Sequence, residues 1–143
     1  MQEKERIERV VSYYVRMCNT RDPFKFADQI GVLYQIGRSK YEGCYMYLKK
    51  HRYIFLSDKI DDTERQVVMS HELGHALLDP KQNCYFIRNK TFFLTSKPEI
   101  RANTFAAYLL ISDDLLTEFN EFTREQFCNS TGYPDELINL RLK

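Results

Sequence analysis

The sequence predicts an α+β fold: N-terminal helices, a small three-stranded antiparallel sheet, a central helix, and a tail of further helices. Changes of hydrophobic period predict it. Apolar residues recur at three- and four-residue steps before about residue 30, run together as β-branched and aromatic clusters from Val32 to Ser57, and return to helical spacing after Asp61. The 143 residues suffice for a core and read as one domain over 1–143.

Composition narrows the function classes. A hydrophobic content of 43% and a charged content of 29% fit a soluble globular protein. A net charge of +1 gives no electrostatic argument for direct nucleic-acid or membrane binding. No apolar run approaches the ~20 residues of a membrane span, and the start MQEKERIERV has no signal-peptide core. Cys18, Cys44, Cys84 and Cys128 lie far apart without a CxxC pair, so reduced thiols in a cytoplasm are expected.

Taken in order, residues 3 to 18 form a first helix on Ile7, Val10, Val11, Tyr14 and Val15. Asp22-Pro23 starts a short second helix, with Asp at the N-cap, Pro at the first helical position and Gly31 as the stop. Leu33-Tyr34-Gln35-Ile36, Gly43 to Leu48 and Tyr53 to Ser57 are the three strands, joined by a turn at Gly37 to Lys40 and a basic hairpin tip at Lys49 to Arg52. An edge of this sheet is suited to accept a peptide as an added strand. Residues 81 to 97 are irregular, and Tyr85 is a candidate cleft wall. A helix runs from Ser96 to about Ile111, and short helices capped by Ser112 or Asp113, by Thr123, and started by Pro134 finish the chain. Phe119, Phe122, Phe127, Leu137, Leu140 and Leu142 read as tail core.

The central helix carries the chemistry. Asp61 to Pro80 reads DDTERQVVMSHELGHALLDP, with Asp61 and Glu64 as a capping box and Pro80 as the stop. Within it stands an HExxH, His71-Glu72-Leu73-Gly74-His75, which holds two of the chain's three histidines. On a helix of about 3.6 residues per turn, His71 and His75 share one face, one turn apart, where two imidazoles can bind one Zn²⁺. Glu72 then falls beside the metal, as a catalytic base for a metal-activated water. Gly74 costs roughly 1 kcal/mol of helix stability relative to alanine, so it serves close approach of another backbone.

Catalytic zinc takes three protein ligands and a water. A third histidine six residues after the second is excluded, because Lys81 stands there, which leaves downstream carboxylates. Glu99 has two readings: the third ligand, or the far half of a capping box with Ser96. Asn103, one turn on, faces the same way and suits a hydrogen bond to a ligand's outer nitrogen or carboxylate. Tyr85 and Tyr108 are candidates for the cleft or for an oxyanion donor, with core as the plainer role for each.

HELGHALLD followed by Glu99-Ile100-Arg101-Ala102-Asn103-Thr104-Phe105-Ala106-Ala107-Tyr108-Leu109-Leu110 resembles the ImmA/IrrE family of zinc metallopeptidases. That family shows HExxH and then E-x-x-A-N-x-F-A-x-x-L-L; many members carry a proline soon after, where this chain has Ser112. The resemblance implies a minimal zincin-like domain of gluzincin type, with Zn²⁺ on His71, His75 and Glu99 and Glu72 as the base. It also implies a bacterial cytoplasm, often a phage or mobile-element origin, and a partner transcriptional repressor as protein substrate. A zinc-bound module that recognises a regulator without cutting it is the alternative, and the intact Glu72 argues against it.

Overall fold

The computed structural model describes residues 2–81, 84–86 (backbone only) and 96–143. Helix α1 (Glu3–Cys18) buries Ile7, Val11 and Cys18 and ends on Asn19 in the left-handed conformation. Helix α2 (Pro23–Ile30) starts on the Asp22 carboxylate, which accepts from the Phe24 amide at 2.9 Å, and ends on Gly31 at φ +77. Helix α2 follows the sequence signals, because Asx capping, a first-turn proline and a left-handed glycine are local devices.

Strands β1 (Leu33–Gly37), β2 (Gly43–Leu48) and β3 (His51–Ser57) fall where expected. Their pairing differs from the antiparallel prediction. The sheet is mixed, in the order β1-β3-β2-β4, with β4 (Cys84–Phe86) added beside β2. Strand β1 runs parallel to β3, Leu33 against Tyr53 through Gly37 against Ser57. The reason lies in the connection between β1 and β2. Gly37 is the last residue of β1 and does not take the positive φ of a two-residue hairpin turn. The chain steps across the end of β3 instead, where the Ser57 amide donates to the Glu42 carbonyl and the Asp58 amide to the Gly37 carbonyl, each at 2.9 Å.

The tight turn is at Lys49 and Lys50, with φ +50 and +67, between the closing pair Leu48 and His51. Two left-handed residues in a two-residue loop match the right-handed twist of a hairpin. Strand β4 covers the β2 edge over Gly43–Tyr45, so β1 and β4 form the outer edges of the sheet.

Helix α3 (Asp62–Leu78) lies on the inner face of the sheet. Asp61 caps it, accepting from the Glu64 amide at 2.8 Å, and Asp79 ends it ahead of Pro80. Every residue from Val67 to Ala76 is buried, so the helix is enclosed all round rather than on one stripe. Tyr45, Ile54 and Leu56 of the sheet meet Val68, Met69 and Leu73 in a core shared with α1 and α2. Full burial of a side chain such as Leu73 contributes about 1.5–3 kcal/mol.

Helix α4 (Lys97–Leu110) packs along α3 on the side away from the sheet. A Cβ on Gly74 would stand 2.8 Å from the Ala102 Cα and 3.1 Å from the Phe105 Cβ, so glycine is what admits α4 this closely.

Helices α5 (Asp113–Glu118), α6 (Arg124–Thr131) and α7 (Asp135–Leu142) complete the chain. Ser112 caps α5, and Thr123 with Gln126 forms a full capping box on α6. Phe127 and Leu137 join Val67, Ala106, Ala107 and Ile111 in a second core, with Phe119 and Leu140 packed against it. Phe122 and Leu142 are exposed, contrary to the sequence reading. Phe122 lies at a turn and rests edge-on against Phe119, and Leu142 is on the last turn of α7.

Candidate metal centre

Three ligand atoms converge between α3 and α4. His71 Nε2 lies 3.1 Å from His75 Nε2. Glu99 reaches both rings, Oε1 at 2.9 Å from His71 Nε2 and Oε2 at 3.1 Å from His75 Nε2. The histidines are fully buried, and the Glu99 side chain is 13% exposed, which leaves one open side. Among the described residues this is the group suited to hold a metal ion.

The donor set fits a cation. Asn103 Oδ1 sits 2.5 Å from His71 Nδ1 and accepts its proton, which leaves the Nε2 lone pair facing inward. Burial drives the His71 pKa from 6.5 down to about 4, against the pull of Glu99, so the ring is neutral at pH 7. Burial pushes Glu99 up, but the two imidazoles close against it outweigh that and bring the carboxyl to about 2. The ring nitrogens of His71 and His75 and the Glu99 carboxylate therefore face one point.

Glu99 stands in the first turn of α4, yet the Ser96 side chain makes no capping bond. Of the two readings that the sequence leaves open, the described contacts of Glu99 are with the histidines, 28 and 24 residues away in sequence.

Glu72 points to the sheet side of α3. It is fully buried, and neither carboxylate oxygen has a hydrogen-bond partner among the described residues. Burial, with the Glu99 charge adding to it, pushes its pKa well above the usual carboxylate value. Space for it comes from Gly43 on β2, where a Cβ would stand 3.3 Å from Glu72 Oε2 and 2.6 Å from Val68 Cγ1. Burial beside that same carboxylate raises the Cys44 thiol, so Cys44 is held as a neutral thiol.

Tyr45 supports the second histidine. Its ring stacks on His75 at 6.5 Å between centroids, and its hydroxyl donates to the Pro80 carbonyl at 2.5 Å. Strand alternation puts Gly43 and Tyr45 on the helix-facing side, a signal that marks both once the face is known. Tyr108 is not brought to the site. It lies nine residues beyond Glu99, half a helical rotation away, and packs with Lys4 at 5.9 Å and Arg141 at 4.5 Å from its ring. The Tyr85 side chain lies outside the described residues.

Two comparisons bear on this arrangement. The model of Peptidase M78, the IrrE N-terminal-like domain, matches residues 29–127, which include both β2 and the whole of α3 and α4. The chain belongs to that family. It is also 34% identical over 139 residues to "Uncharacterized immunity region protein 2" of Bacillus phage phi105, covering 94% of this chain and 88% of that protein. Over 82 residues it is 30% identical to "Metallopeptidase ImmA" of Bacillus subtilis strain 168, covering 54% of this chain and 48% of that protein. The IrrE-like chain thus carries its His-His-Glu cluster within a metallopeptidase family. No described helix is long and apolar enough to cross a membrane.

Proposed function

We propose that the protein is a zinc-dependent endopeptidase of the bacterial cytoplasm that cuts a partner regulatory protein, such as the repressor of a phage or mobile element. The observation that carries this reading is the convergence of His71, His75 and Glu99 beside a buried Glu72 that has no hydrogen-bond partner among the described residues. The immunity-region relative supports a regulator as the substrate, and the metallopeptidase relative supports peptide-bond hydrolysis.

His71, His75 and Glu99 would hold the metal, and bound zinc would supply Lewis-acid polarisation of the scissile carbonyl and of a water. Asn103 fixes the His71 tautomer. Glu72 takes a proton on its carboxylate from the attacking water and returns it to the leaving nitrogen. Its carboxylate has no hydrogen-bond partner among the described residues, which leaves it free to take that proton.

New protein N-termini in host cells expressing wild type or Glu72→Gln test the reading. A terminus within a repressor-like protein, seen with wild type only, would support it and identify the substrate. Identical profiles under inducing stress, with zinc still bound, would favour a module that recognises a regulator without cutting it.

A further inference from the structure

Glu99 must meet both histidines at once, so α4 has to keep its offset along α3. Beyond its first turn α4 is held by the Asn103 bond to His71 and by Phe105 against Gly74. Gly74 meets Ala102, with Ala106 one turn on, and small residues allow close approach but offer few knobs to resist sliding. The start of α4 lacks a side-chain cap from Ser96. Besides the Glu99 contacts themselves, one side-chain pair ties the start of α4 to the end of α3.

Arg101 makes that contact. Its Nε donates to Asp79 Oδ2 at 3.1 Å and its NH2 group to Asp79 Oδ1 at 2.7 Å, a bidentate pair. Asp79 is the C-cap of α3, four residues after His75, and Arg101 is two residues after Glu99. Both side chains are largely shielded, at 16% and 13% exposure, so this pair is less screened than a surface one. Glu3 of α1 adds a longer contact of 3.4 Å to the same guanidinium, from a half-exposed position.

We propose that Arg101 is a positioning residue for the third metal ligand: its two-pronged bond to Asp79 locks α4 against the end of α3 and holds Glu99 opposite both histidines. The proposal rests on the metal reading of His71, His75 and Glu99. A planar fork on a carboxylate fixes both distance and angle, which a lysine cannot do with a single point of contact.

The test is zinc affinity of the metal-free protein, measured by competition with a chromophoric chelator, together with the visible absorption of the Co²⁺-loaded protein. Arg101→Ala and Asp79→Asn are each expected to weaken zinc binding about 10- to 100-fold and to shift the Co²⁺ bands. The double variant is expected to be little worse than either single one, because one contact is lost in all three. Phe127→Leu, in the second core, is the control: it should lower thermal stability while leaving zinc affinity and the Co²⁺ bands alone. If Arg101→Ala does not fold, Arg101→Lys carries the test, with a smaller loss of affinity and the same direction of band shift. Wild-type affinity and unshifted bands in the Arg101 and Asp79 variants would overturn the proposal. Failure of the wild type to bind zinc would overturn the metal reading, and this assignment with it.

Discussion

Gly74→Ala separates two opposite expectations. Intrinsic helix propensity favours alanine over glycine by about 1 kcal/mol, so on an exposed helix the change would stabilise. Here the added methyl would stand 2.8 Å from the Ala102 Cα and 3.0 Å from the Ala102 carbonyl oxygen, both backbone atoms. Neither can swing aside as a flexible side chain would, so α4 must move outward. Overpacking of this kind costs about 1–3 kcal/mol. Set against the propensity gain, the net loss is about 0–2 kcal/mol, up to several degrees in Tm for a chain of this size. Urea unfolding of the metal-free protein measures it, with an unchanged m-value expected. The same outward shift carries Glu99 away from the histidines, so zinc affinity should fall as well. A Gly74→Ala variant about 1 kcal/mol more stable than wild type, with zinc affinity intact, would refute the close-approach argument.

Three other outcomes follow from the same geometry. Lys49→Asn with Lys50→Gly should stabilise by about 1 kcal/mol in thermal unfolding, because both lysines occupy left-handed backbone that asparagine and glycine tolerate better. Asn103→Ala should weaken zinc binding about 10-fold or more in a chelator competition, with α4 still helical by circular dichroism, since His71 Nδ1 loses its acceptor. The third concerns the metal-free protein between pH 4.5 and 6.5, where Glu99, held at about 2, stays ionised. There His71, lowered to about 4, leaves the native state without a proton that the unfolded chain binds, so its contribution is present above 6.5 and is lost as pH falls. Glu72, raised, acts oppositely: its contribution is present below 4.5 and is lost as pH rises. Glu72→Gln removes the opposing effect, so urea-derived stability should rise with pH more steeply in the variant than in wild type.

What was legible in the sequence was mostly local. The Asp61 cap, the Asp22-Pro23 start, the Gly31 stop and the Thr123 box depend on neighbouring residues, and each recurs in the structure. The HExxH spacing put His71 and His75 together for the same reason. Glu99 was reached through a motif, because the contact spans 28 residues and two helices, and no period within α4 reports it. Strand order is not legible for the same reason. Nothing between Gly37 and Gly43 says that β3 will lie between β1 and β2, since that depends on which strand the β1 edge meets after folding. Gly43 and Tyr45 read as plain strand residues until α3 is laid against them, and Asp79 and Arg101 read as helix-end charges until α4 returns alongside α3.

The most direct test of the central claim is zinc-edge X-ray absorption on the protein loaded with one equivalent of zinc, for wild type and Glu99→Gln. Two imidazole nitrogens at about 2.0–2.1 Å with a carboxylate oxygen at about 2.0–2.2 Å are expected in the wild type. The carboxylate contribution should be lost in Glu99→Gln. A wild-type spectrum with sulfur near 2.3 Å, as from a thiolate such as Cys44, or one unchanged by Glu99→Gln, would contradict the assignment of His71, His75 and Glu99 as the metal site.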